Sequence, residues 1–243
     1  MVHEEVVNQF AERMRAAADT NLVSLILYGS AAEGEFHPEY SDLNLLCVVR
    51  DASFASLAKI AEVTEWWRSK KHHPPLVLTP EELKTTADVF SIEFVDMKQR
   101  YRVLSGDDVL KSLVIPMHLH RSQLEYELRE KLFLLRQHVM LAGTNEKQLW
   151  EVMLQSLTSF TTLFRHVLIE LGKTGRPHSL DAVKELGSRL NFDSSAFVQL
   201  IDVRAKKGDR KQHRVSDVAA RYLSAIENVA AAVDTMQSSS ASS

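Results

Sequence analysis

A single cysteine, Cys47, stands in 243 residues. No intramolecular disulfide can form, so the chain is not a disulfide-stapled secreted module, and a reducing cytoplasm is the expected compartment. Cys47 lies in an apolar run and reads as a small buried hydrophobe. Charge of one sign is also lacking: 29 basic residues against 32 acidic give a net charge of -3. That argues against a general nucleic-acid coat, which needs a strongly basic surface. A local basic groove remains compatible, so nucleic acid stays open as a partner. No apolar run approaches the roughly 20 residues of a membrane span, and Leu22–Tyr28 falls far short. The N-terminal Met1-Val2-His3-Glu4-Glu5 is acidic and has no hydrophobic h-region, so no signal peptide is expected. With 8 glycines and 6 prolines, a collagen-like chain is excluded.

What is present is a core-forming composition, 45% hydrophobic and 25% charged. A chain of this length buries a sizeable core without staples. The hydrophobic period changes partway along it. Short β-like runs occur at Leu22–Tyr28, Leu43–Val49, Leu76–Thr79 and Ile92–Met97. They alternate with helical patterns near 3–19, 53–70 and 80–88, which predicts an α/β (α+β) domain with a short mixed sheet. After about residue 118 the strand signals stop. Leu124, Leu128, Leu132, Leu135 and Val139 recur at three- and four-residue steps and put one apolar stripe on a long helix ending near Gly143. A second helix runs from about Glu146 to Leu171, with Met153, Leu157, Phe160, Phe164 and Leu168 inward. Further helices follow Ser179, Asp193 and Ser216, each opening on an N-cap residue type. Five helices with short connections predict an antiparallel bundle. The domains expected are residues 1–115 and 116–237, with the break at Ile115-Pro116. The serine-rich end, 238–243, is expected to be a disordered tail.

The segment that carries chemistry is Leu25-Ile-Leu-Tyr-Gly-Ser-Ala-Ala-Glu-Gly, followed by Ser41-Asp-Leu-Asn-Leu-Leu. A buried strand ends at Tyr28, Gly29 permits a tight turn, and Ser30 opens a short helix. A hydroxyl and backbone N–H groups at that turn make a seat for phosphate oxygens. About a dozen residues on, a strand begins with Asp42-Leu43-Asn44. Side chains two apart share a strand face, so Asp42 and Asn44 point together while Leu43 and Leu45 enter the core. An Asp facing a phosphate seat is what magnesium-assisted phosphoryl transfer requires.

This segment resembles the signature of the polymerase-β-like nucleotidyltransferase superfamily. That signature is a hydrophobic residue, Gly-Ser or Gly-Gly, a spacer, then Asp-hydrophobic-Asp/Glu between apolar residues. The resemblance covers roughly residues 15–105, and the helical part looks like the C-terminal domain of kanamycin and streptomycin nucleotidyltransferases. It implies an NTP as substrate, Mg²⁺ as cofactor and an unidentified hydroxyl acceptor. It also implies that Gly29, Ser30 and Asn44 bind the nucleotide. The metal would sit on Asp42, Asn44 and a third carboxylate from a later strand. Strand parity in Ser91-Ile-Glu-Phe-Val-Asp-Met favours Glu93 over Asp96, because Ile92 and Phe94 alternate as buried positions. Asp42 and Glu93 are then the expected catalytic residues, Glu93 either binding metal or taking the acceptor proton.

One departure matters. The resembling active enzymes carry a carboxylate where this chain has Asn44. An amide oxygen can contact a metal, but Mg²⁺ favours carboxylates. Three functions therefore stand beside one another: an active nucleotidyltransferase with a modified site, a nucleotide-binding pseudoenzyme, and a non-enzymatic interaction protein. A homodimer is compatible with each.

Other residues read more plainly. Lys98, Arg100 and Arg102 alternate and would share one face of a strand, leaning either toward triphosphate or into solvent as edge protection. Lys70-Lys71-His72-His73 lacks a third metal ligand and reads as an exposed loop. The basic stretch from Arg204 to Arg214 either neutralises phosphates or is an exposed connection. His118, His120 and Arg121 open the first bundle helix, where surface positions are expected.

Overall fold

The computed structural model describes residues 2–33, 43–175 and 177–236. Contacts divide the chain into two compact units, Met1–Met117 and His118–Ser243. The first contains α1 (Val2–Ala18), β1 (Leu22–Tyr28), a 3-10 turn at Ser30–Glu33, β2 (Asn44–Val49) and α2 (Phe54–Ser69). It continues with β3 (Leu76–Leu78), α3 (Pro80–Thr85), α4 (Ser91–Gln99) and β4 (Tyr101–Gly106). The four-stranded sheet has the order β3-β2-β1-β4. β1 runs antiparallel to β2 and β4, and β2 runs parallel to β3, so the sheet is mixed.

β1 is apolar apart from Ser24, whose hydroxyl donates to the Asp107 carbonyl, because both of its faces are covered. Leu25 and Leu27 join Leu43, Leu45, Cys47 and Val49 in one cluster with Val7, Phe10 and Met14 of α1 and Ile60, Val63 and Trp67 of α2. Ile26, Leu46 and Val48 turn the other way, toward Leu83 of α3 and Phe94 and Met97 of α4. Each fully buried large side chain contributes roughly 1.5–3 kcal/mol, so the two clusters dominate the stability of this unit. Helix starts are set locally. Ser53 caps α2 by accepting from the Ser56 amide. At α3, Thr79 Oγ1 accepts from the Glu82 amide at 3.2 Å, and Glu82 Oε2 accepts from the Thr79 amide at 2.7 Å.

One expected element differs. Residues 92–97 form part of helix α4, not a strand. The place beside β1 is taken by β4. Phe94 and Met97, three apart, are buried on the sheet, and Ile92 also lies inward. Over so short a run, inward positions at 92 and 94 satisfy either period. The helix also removes the parity that separated Glu93 from Asp96: three residues apart, they are neighbours on one side of α4. The alternate cations do not share a strand face either. Lys98 lies in α4 and donates to the Leu113 carbonyl, while Arg102 on β4 donates to both carboxylate oxygens of Glu4 at 3.0 and 2.8 Å.

The second unit contains α5 (His120–Ala142), α6 (Glu146–Glu170), α7 (Ser179–Leu190), α8 (Ser195–Arg204) and α9 (Val215–Thr235). α6 is its axis, burying Met153, Leu157, Phe160, Phe164 and Leu168 among others. Gly143 ends α5 at φ +54°, and Asn145 caps α6 by accepting from the Gln148 amide at 3.1 Å. Phe164, Phe197 and Tyr222 stack in sequence, with ring centroids 4.8 and 4.6 Å apart. His120 is fully buried, which corrects the surface reading of that position. One ring nitrogen meets Glu170 Oε1 and the other lies 2.8 Å from His166 Nδ1. Among the described residues, no helix is long and apolar enough to cross a membrane. The serine-rich end, 238–243, lies outside the described residues.

Candidate functional site

The site is built at the end of β1. Tyr28 is its last residue, flanked across the sheet by Asn44 of β2 on one side and Tyr101 of β4 on the other. Directly opposed residues share a sheet face. Asn44 keeps the parity of Leu46 and Val48, while Leu43 and Leu45 enter the core on the opposite face, as expected from the alternation. The apolar floor under α3 and α4 thus ends in a rim of two phenols and an amide.

Gly29 turns the chain out of this rim at φ +83°. A side chain there would be strained, since the left-handed region costs a non-glycine residue roughly 1–2 kcal/mol. It would also sit 3.4 Å from Asn44 Nδ2. Gly29 and Asn44, far apart in sequence, are therefore packed against one another. The Gly29 amide donates to the Arg100 carbonyl at 2.9 Å, and the Ala32 amide donates back to the Gly29 carbonyl at 3.1 Å. These two bonds fix the turn between β1 and the entrance of β4. Ser30 begins the 3-10 turn.

Glu93 comes to the rim from the first turn of α4. The Tyr28 hydroxyl titrates above its ordinary value, first because burial disfavours the phenolate and second because the Glu93 charge is close. Tyr101 is raised in the same way, by burial and then by its hydrogen bond to Asp108 at 3.1 Å. Both phenols therefore stay protonated at neutral pH and can donate. Tyr28 and Tyr101 carried no separate signal in the sequence beyond Tyr28's place before Gly29-Ser30.

Gly29, Asn44 and Glu93 thus gather around Tyr28. Asp42 lies outside the described residues. Asn44 and Glu93 offer hard oxygen donors of the kind Mg²⁺ takes. Among the described residues, no group of three or more His, Cys, Asp or Glu side chains is placed to hold a metal. The His72 ring stacks on Trp67 at 4.3 Å between centroids, and the His73 carbonyl accepts from Trp67 Nε1 at 2.8 Å. Arg204 donates to Thr158 and is tied to the helical unit.

Residues 7–101 match the family model described as a nucleotidyltransferase domain. The match runs from within α1 to the first residue of β4 and so encloses the whole rim. The chain is also similar in fold to a spectinomycin adenyltransferase from Enterococcus faecialis, solved with ATP and spectinomycin. The two are 15% identical with a TM-score of 0.57, over 92% of this chain and 99% of that one. Among curated proteins, none matches. The family model supports the resemblance to the polymerase-β-like nucleotidyltransferase superfamily, and the structural likeness supports the fold.

Proposed function

We propose that the chain transfers a nucleoside monophosphate from an NTP to a hydroxyl acceptor at the Tyr28 rim, with Mg²⁺ held by Asp42, Asn44 and Glu93. The observation that carries this reading is the left-handed Gly29 turn packed against Asn44. The Gly29 and Ala32 amides are engaged within the turn, so the phosphate seat is assigned to the amides of Ser30 and Ala31. Held by Asp42, Asn44 and Glu93, Mg²⁺ would neutralise charge on the triphosphate seated on those amides. The acceptor oxygen attacks the α-phosphorus, the bond to the bridging oxygen breaks, and pyrophosphate leaves. Glu93, where it does not bind the metal, takes the acceptor proton, and the neutral Tyr28 hydroxyl donates toward phosphate oxygens. Small alcohols such as aminoglycosides are the first acceptors to try, because the similar fold was solved with spectinomycin.

A second reading, a nucleotide-binding pseudoenzyme, is favoured by Asn44 itself. One carboxylate fewer weakens the hold on a divalent ion. Calorimetric titration with ATP and GTP, with and without Mg²⁺, separates the readings. Binding that needs Mg²⁺ and is lost in Asp42→Asn, with the fold intact by circular dichroism, supports the transferase. Metal-independent binding supports the pseudoenzyme. Silence in every condition leaves an interaction protein, and unchanged Mg²⁺-dependent binding in Asp42→Asn overturns the site.

A further inference from the structure

The connection between α8 and α9 is the most basic stretch of the chain. Residues 204–214 hold six Lys and Arg against one carboxylate, Asp209, while the whole chain carries a net charge of -3. Arg204 donates to Thr158. The other five, Lys206, Lys207, Arg210, Lys211 and Arg214, are all exposed. Several cations elsewhere in this unit are paired within the chain: Arg129 meets Glu125 at 3.1 Å, Arg136 meets Glu227 at 2.7 Å and Arg189 meets Glu185 at 2.7 Å. Among the described residues, none of the five bonds a carboxylate through its side chain.

Stability does not account for this placement. Arg214 is the N-cap of α9 and makes no side-chain cap bond. A helix start favours Ser, Thr, Asp or Asn and acidic groups, so Arg214 goes against both preferences. Lys206 adopts φ +57°, a left-handed conformation that glycine or asparagine takes at lower cost. The backbone of the connection is nevertheless held in place. The Lys207 and Gly208 amides donate to the Asp202 carbonyl at 2.9 and 3.1 Å, and the Asp209 carboxylate accepts from the Lys211 amide at 3.0 Å. Binding would therefore order side chains and not main chain, which lowers its entropic cost.

We propose that this connection binds the phosphodiester backbone of a double-stranded nucleic acid. Cations free of internal carboxylates on a preset main chain suit phosphate contacts, which position a duplex without reading its sequence. Residues 204–214 hold no Phe, Trp or Tyr, so they lack the aromatic platforms on which single-strand grooves stack bases. They hold no large apolar side chain either, whereas a membrane-surface segment sets Trp, Phe or Leu beside its cations. RNA and DNA duplexes present the same phosphodiester charge, and the residues involved belong to the helical unit alone.

Fluorescence anisotropy of the full chain with short RNA and DNA duplexes of one shared sequence, over a series of KCl concentrations, tests this. Both duplexes should bind, and the tighter one identifies the source. The logarithm of the binding constant should fall with the logarithm of salt concentration at a slope of about -4, as neutralising four or five phosphates gives. Lys207→Glu combined with Arg210→Glu should weaken binding by about tenfold or more at an unchanged circular dichroism spectrum. Lys206→Gly separates the cation from the fold: it relieves the left-handed backbone, so it should leave the unfolding midpoint no lower while weakening binding. A wild-type chain that binds neither duplex at low salt overturns the proposal. So does duplex binding that the doubly substituted variant retains in full, tighter binding of a single strand than of either duplex, or binding of phosphatidylserine vesicles with none of the duplexes.

Discussion

Gly29, Asn44 and Cys47 each make a separate demand that can be measured. Gly29→Ala forces a Cβ into a left-handed turn, so chemical denaturation should show a loss of about 1–2 kcal/mol, and nucleotide affinity should fall with it. Asn44→Asp restores the anion that the resembling enzymes carry. It should tighten Mg²⁺-dependent nucleotide binding, read by calorimetry; weaker or unchanged binding would contradict a metal role for this position. Cys47 is enclosed on β2, and burial pushes its thiol up to about 12 from 9.0. As the pH rises past 9.0 the unfolded chain releases this proton first, while the folded chain keeps it until about 12. The thiol therefore favours the native state fully below 9.0, and its contribution declines through that window by up to about 1.4 kcal/mol per pH unit. Thermal melts between neutral and alkaline pH should show a shallower decline in Cys47→Ala than in wild type. The native thiol should also resist thiol reagents until the chain unfolds.

At the scale of elements, legibility followed length and surroundings. β1 and β2 were readable because strands buried on both faces are predominantly apolar runs, residues 25–27 and 45–49 here, and α5 and α6 because many turns repeat one stripe. The segment after Ser91 was not readable. Inward positions at Ile92 and Phe94 do not distinguish a strand from a helix, and the choice was made by β4 occupying the edge beside β1. Glu93 still reached the rim, now on the first turn of α4 instead of a strand. His120 was misread for a similar reason, since a helix-start position gives no local sign of partners 46 and 50 residues away. Its replacement by Leu removes the bonds to His166 and Glu170, which should cost about 0.5–1.5 kcal/mol for each hydrogen bond lost; an unchanged unfolding midpoint would contradict that. Thr79→Ala removes one half of the α3 capping box and should cost about 1 kcal/mol, with earlier amide exchange in the first turn of α3.

The molecule as a whole joins a mixed α/β unit to a helical unit, and the candidate site lies in the first. The change from strand periodicity to purely helical periodicity was visible along the chain, because the two units use different repeats. The acceptor was not visible, because acceptor choice rests on individual surface side chains and not on any period. The most direct test of the central claim is a crystal soaked with a non-hydrolysable ATP analogue and Mn²⁺, read by anomalous scattering. The account predicts a manganese peak beside Asp42 and Asn44, with the triphosphate on the Ser30 and Ala31 amides. A nucleotide lying elsewhere, or a metal peak away from the Tyr28 rim, would contradict it.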